Sequence, residues 1–182
     1  MLTRILVAID RSAVSRQVFD QALALAKAVS ANLILLHVLS AEESGSPISS
    51  SYFVQPKDRC LHVTPPIMRR VNEVAALEWK VFSQKGQELL RFYSKKALAS
   101  GVQIEFSQIT GVPSSTICDF AQSCHADLVV IGRRGHSGFQ EMLLGSVSNY
   151  VVHHAPCSVL LVQTPVAKES TATENLKATV YA

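Results

Sequence analysis

The residues best placed to do chemistry lie between positions 132 and 148. Gly132, Gly135, Gly138 and Gly145 come first, and Ser146 and Ser148 close the stretch. Glycine at 132 and 135 permits positive φ and a close backbone approach to a ligand. Successive backbone N–H groups in such a turn form a nest for an anion. A helix opening at Gly145-Ser146 would add its unsatisfied N–H groups and its dipole. Arg133 or Arg134 could reach outlying phosphate oxygens, and Ser146 and Ser148 add hydroxyl donors. His136 sits inside the same loop. The chemistry expected is phosphate binding. The competing reading is a tight strand-to-helix connection that holds no ligand.

A second unusual segment is Asp10-Arg11-Ser12-Ala13-Val14-Ser15. A carboxylate would repel phosphate, so Asp10 suits ribose hydroxyls, the base, or a weak and indirect role as a Mg²⁺ ligand. Ser12 or Ser15 could cap the following helix.

The surrounding elements must bring the two segments together. Thr3 to Ile9 is apolar on both faces, as in a central parallel strand. Val18, Ala22, Leu25 and Val29 recur at helical spacing, and Asn32 to Val38 is a second buried strand. Ile67 to Ser100 reads as one long helix. Its apolar stripe runs through Val71, Val74, Leu77 and Val81 and continues through Leu89, Phe92, Tyr93 and Ala97. Gly86 sits inside this helix at a cost of about 1 kcal/mol against alanine, which suggests a bend. Gly101 is the expected C-cap.

Gln103 to Ile109 alternates as a strand with one exposed face. A helix through Ile117, Phe120, Ala121 and Cys124, a strand from Leu128 to Ile131, a helix over Ser146 to His154 and a last strand at Ser158 to Val162 complete the pattern. The fold expected is α/β: a five-stranded parallel doubly wound, Rossmann-like sheet of order 3-2-1-4-5, with helices on both faces. In that order both unusual segments leave strand ends at the switch point, where ligands bind.

Composition narrows the function classes. The 182 residues are 48% hydrophobic and 17% charged, with a net charge of +3, which suits one domain with an ordinary core. That domain is expected over residues 1–164, with a Ser/Pro-rich insertion at about 40–66 and a mobile polar tail at 165–182. The insertion is read as partly disordered, a lid or a partner-binding segment. Basic pairs such as Arg69-Arg70 read as solvated helix faces, so no nucleic-acid partner is expected. No apolar run approaches the ~20 residues of a membrane span. The N-terminus lacks a signal-peptide layout, so a cytoplasmic location is the expectation.

Cys60, Cys118, Cys124 and Cys157 form no C-x-x-C pair and read as reduced thiols. His37 reads as a satisfied core histidine. His153-His154 read as charges at a helix C-terminus rather than as metal ligands. Neither a P-loop nor a G-x-G-x-x-G after the first strand is present.

The spacing Gly132-x2-Gly135-x9-Gly145-Ser146 resembles the signature of the universal stress protein family. So do Asp10, Ser12 and Ser15 at the end of the first strand, Leu35-Leu36-His37-Val38, Ala126 to Gly132, and Pro156 to Val162. The resemblance covers roughly Leu2 to Val162 and implies the ATP-binding branch. It implies ATP, or ADP or AMP, as ligand, with Mg²⁺ as a possible companion. By matched position it places Asp10 at the ribose, Val38 at the adenine and Ile131 beside base and sugar. It gives Gly132, Gly135, Gly145, Ser146, Val147 and Ser148 to the phosphates.

The resemblance also implies a homodimer through the last strand, at about Ser158 to Val162, and an unidentified protein partner. The expected function is a nucleotide-dependent sensor or regulator in a stress response, with at most slow ATP hydrolysis. Two alternatives stand beside it. One is an interaction module for AMP, a cyclic nucleotide or another anion. The other is a weak Mg-dependent phosphohydrolase using Asp10.

Overall fold

The structure is a computed structural model that describes residues 1–43, 45–47, 65–133 and 144–163, with only the backbone at 65–69 and 71. The elements in chain order are β1 (Arg4–Ile9), α1 (Val14–Val29), β2 (Asn32–Leu39), α2 (Pro65–Ala99), β3 (Ile104–Thr110), α3 (Pro113–Ser123), β4 (Leu128–Gly132), α4 (Ser146–His154) and β5 (Ser158–Val162). The sheet is parallel throughout, in the order β3-β2-β1-β4-β5. The expected order is therefore observed.

Side chains of successive strand residues point to opposite faces, and this alternation divides the core in two. Ile5, Val7, Ile9, Leu33 and Leu35 meet Val18 and Phe19 of α1 and Leu90, Tyr93 and Ala97 of α2. Leu6, Ile34, Leu36 and Val38 meet Ile117 and Ala121 of α3 and Val151 of α4. The central strands are buried on both sides, which is why β1, β2 and β4 read as continuous apolar runs. Gly101 takes φ 78° after α2, and Val102 N–H bonds back to Ala97 O at 3.1 Å. This is the left-handed helix end that glycine favours.

The structure adds to three expectations and corrects the last of them. The stripe on the first half of α2 is not core: Val74, Leu77 and Val81 are 57%, 63% and 44% exposed. Burial begins at Phe82. A 35-residue helix is about 52 Å long, while an eight-residue strand is about 27 Å. The sheet underlies only the second half.

The start of the region from residue 40 is packed. Ser40, Glu43 and Ser46 are buried, and a turn joins them through Glu43 N–H to Ser40 O and Ser46 N–H to Glu43 O. Residues 48–64 and the tail beyond 163 lie outside the described residues. Finally, neither Ser12 nor Ser15 caps α1. Its N-cap is Ala13, with no side-chain cap bond, and Ser15 lies inside the helix.

Among the described residues no helix is long and apolar enough to cross a membrane.

Candidate functional site

The C-terminal ends of β1 and β4 lie side by side, with Ala8 opposite Ile131. β1 continues toward α1 and β4 toward α4, so the chain leaves the sheet in two directions and opens a crevice between them. Its volume is about 360 Å³, within the range of small-molecule sites.

The first wall is the turn from Asp10 to Ser15. Asp10 Oδ1 accepts from Ser12 N–H at 2.9 Å, from Ser12 Oγ and from Ser15 Oγ at 2.7 Å. Asp10 N–H donates to Ser15 Oγ at 2.8 Å. The serines therefore hold the carboxylate, where sequence reasoning gave them to the helix end. A short polar side chain bonding its own backbone two residues on fixes the turn. Asp10 faces the crevice from a preset position.

The opposite wall is the start of α4. Gly145 is its N-cap, in extended conformation with no side-chain cap bond. Arg133 O accepts from Gly145 N–H at 3.0 Å and from Ser148 Oγ at 2.8 Å, and Arg133 N–H donates to Val162 O at 2.8 Å. These bonds tie the end of β4 to α4 and reassign two residues. The N–H of Gly145 and the hydroxyl of Ser148 serve the fold, with a further Ser148 Oγ contact to Gly145 O at 3.0 Å. Both protons are given to carbonyl oxygens of the protein. The first-turn N–H groups of Ser146, Val147 and Ser148 have no intrahelical acceptor, and all three residues line the crevice.

Gly132 also departs from expectation. It is the last residue of β4, paired with Val162. The described glycines with positive φ are Gly45 and Gly101. Gly132 therefore makes no left-handed turn. Arg134, Gly135 and His136 lie outside the described residues.

Between the walls is an apolar slot. Val38 and Ile131 line it, and Leu36, Pro113 and Ile117 line it without having been foreseen. Ile117 was read only as a helix core residue, and nothing in its spacing separates the two roles. Glu42, Glu43 and Ser40 also reach the crevice. Their aperiodic, polar surroundings hid them.

The other candidates resolve simply. His37 is fully buried and bonded at both ring nitrogens. His154 Nδ1–H donates to Tyr150 O at 2.8 Å, and its ring stacks on Tyr150 at the end of α4. No group of three or more His, Cys, Asp or Glu among the described residues could hold a metal ion. Cys118, Cys124 and Cys157 are free, and burial pushes each thiol above its ordinary value.

The family model for the universal stress proteins matches residues 1–163. The chain belongs to the universal stress protein family. A relative from Synechocystis, universal stress protein Sll1388, is 35% identical over 162 residues, covering 88% of this chain and 97% of its own. The structure of universal stress protein UspA from Lactobacillus plantarum superposes with a TM-score of 0.65 at 27% identity, covering 88% of this chain and 97% of the other. A universal stress protein solved in complex with cAMP superposes with a TM-score of 0.55 at 25% identity, covering 88% and 96%.

Proposed function

We propose that this universal stress protein binds an adenine nucleotide, ATP or its ADP and AMP relatives, in the crevice between β1 and β4. The observation that carries the reading is the pairing of its two walls. An uncapped helix start faces a carboxylate turn across an apolar slot. A nucleotide needs each of those surfaces: N–H donors for phosphate, an acceptor for ribose hydroxyls and a flat apolar space for the base.

In this reading Val38 and Ile131 flank the base, and Asp10 accepts from the ribose. Gly132, Arg134, Gly135, Gly145, Ser146 and Val147 surround the phosphates. Ser148 contributes its backbone N–H, because its hydroxyl proton is committed to carbonyl oxygens. A Mg²⁺ companion would rest mainly on phosphate and water oxygens, with Asp10 at most an outer partner.

The chemistry favours a sensor. Asp10 Oδ1 already accepts from two serine hydroxyls and a backbone N–H, which commits that oxygen to holding the turn. Occupancy would then alter the crevice rim and the homodimer expected through β5, and a protein partner in a stress response would read the change. A second reading, AMP or a cyclic nucleotide in place of ATP, is favoured by the similar protein solved with cAMP.

Native mass spectrometry of the purified protein tests the proposal and identifies the ligand. The expected result is a released adenine nucleotide and ATP turnover below ~1 s⁻¹, the low end of ordinary enzymes. Turnover well above that, abolished by Asp10→Asn, would instead make the protein a phosphohydrolase.

A further inference from the structure

Under α2 lies a hydrogen-bonded run of polar groups, centred on buried His37 and Glu43, that the crevice itself does not explain. Ser83 Oγ donates to Gln108 Oε1 at 3.3 Å, and Gln108 Nε2 donates to Ser83 O at 3.1 Å. A backbone carbonyl can only accept, so this contact fixes which end of the Gln108 amide is nitrogen. The second proton on that nitrogen then goes to His37 Nδ1, at 3.1 Å. His37 is thereby held as its Nε2–H tautomer, and Nε2 donates to Glu43 Oε1 at 3.0 Å. The same Oε1 accepts from Arg11 N–H at 3.3 Å. Arg11 stands between Asp10 and Ser12 in the turn that forms one wall of the crevice.

The two central links are sheltered, while Ser83 and Gln108 are half-buried and Arg11 is exposed. His37 is fully buried and Glu43 is 4% exposed. Gly86 lets α2 lie directly over His37 and Gln108, because a Cβ there would come within 2.5 Å of His37 Cε1 and Nδ1. A second contact joins the same two elements: the Arg11 guanidinium sits over the Phe82 ring, 5.6 Å from its centroid.

We infer that Glu43 and His37 are positioning residues for the crevice, through which the Ser83–Gln108 contact on α2 holds the Asp10–Ser12 turn in its ligand-ready form. Neither needs to touch the nucleotide. Glu43 Oε1 serves both His37 and Arg11, while Oε2 is buried with no hydrogen-bond partner. Only one oxygen of the carboxylate does the holding, so an amide could replace the acid there. The inference takes its ligand from the nucleotide reading, but its hydrogen-bond geometry stands apart from it.

The test combines amide hydrogen exchange at Arg11 and Ser12 with ATP titration of the full chain. The variants are Glu43→Ala, Glu43→Gln and Gln108→Ala, with Glu105→Ala on the exposed side of β3 as control. Gln108 does not line the crevice, so its variant reports on the relay rather than on ligand contact. Losing the hydrogen bond to the Glu43 carboxylate predicts on the order of tenfold faster Arg11 exchange and tenfold weaker ATP binding in Glu43→Ala, and Gln108→Ala, which releases the His37 ring, should shift both in the same direction. Glu43→Gln should restore both toward wild type, and Glu105→Ala should change neither.

Unchanged Arg11 exchange in Glu43→Ala or Gln108→Ala overturns the relay. So does faster exchange with full ATP affinity, since the turn would then be loosened without consequence for the site. A wild-type protein that takes up no ATP, while Arg11 exchange responds as expected, overturns the nucleotide reading and leaves the relay supported.

Discussion

A methyl group at residue 86 would meet two opposing effects. Alanine is a better helix former than glycine by about 1 kcal/mol, so propensity alone predicts a more stable α2. The added Cβ, however, would fall on Gln108 Nε2 and press on the His37 ring. The Gln108 amide can swing aside, but His37 is enclosed. Overpacking of this kind costs typically about 1–3 kcal/mol, so the clash wins. Gly86→Ala is expected to lower stability by about 1 kcal/mol in urea unfolding. A rise in the unfolding midpoint would show that α2 does not lie against His37.

Gly86 also shows what single residues conceal. In sequence it is a helix defect that suggests a bend; in the fold it is a point of close approach to residues far away in the chain. Ser15 and Ser148 repeat the lesson. Ser15 belongs to the Asp10–Ser12–Ser15 pattern, and Ser148 follows the glycine signature by two residues. Yet one holds Asp10 and the other holds the Arg133 carbonyl, because a hydroxyl bonds whichever acceptor the tertiary fold supplies.

At the scale of elements, the chain's period is more legible than its burial. Val74, Leu77 and Val81 share a face with correct helical spacing, and they are exposed because the sheet does not extend beneath them. Periodicity says which residues share a side of a helix, not what lies opposite. The turn around Glu43 was illegible for a related reason: its packing depends on one buried pair, with no repeat to announce it.

The strand starts offer a sharper case. Asp127 accepts from Thr3 N–H at 2.7 Å, Thr3 Oγ1 at 2.7 Å and Arg4 N–H at 2.9 Å. It thereby fastens the start of β1 to the start of β4. Those bonds, the Thr3 N–H foremost, lower its pKa from the ordinary 3.8 to about 2. A carboxyl with a depressed folded-state value stabilises the protein above its unfolded value and loses that contribution as pH falls. Thermal melts should therefore show Asp127 supporting the fold at neutral pH and losing its contribution between about pH 3.8 and 2. Asp127→Asn should melt lower than wild type at pH 7 and converge with it near pH 2. Parallel curves across that range would remove Asp127 from the acid response.

For the whole molecule, the doubly wound order was legible because strands and helices alternate and the central strands are apolar on both faces. That order alone brings the Asp10 turn and the start of α4 to one crevice. It also leaves β5 at the sheet edge, where Ser158 to Val162 could pair with a second copy. Ligand identity was the least legible property, since the apolar slot draws on Leu36, Pro113 and Ile117, each of which reads equally well as plain core.

The central claim is phosphate binding at the start of α4, and Ser146→Glu isolates it. Ser146 is exposed, and a carboxylate in the first turn stabilises a helix by about 0.3–1 kcal/mol, so the fold should persist. The same charge would stand where the proposal places the phosphates. Calorimetric titration with ATP, AMP and cAMP should show saturable binding of at least one nucleotide to wild type. Ser146→Glu should bind it at least about tenfold more weakly, a loss of roughly 1.4 kcal/mol, with an unchanged or higher melting temperature. Equal affinity in both proteins, or no binding of any of the three to wild type, would contradict the account.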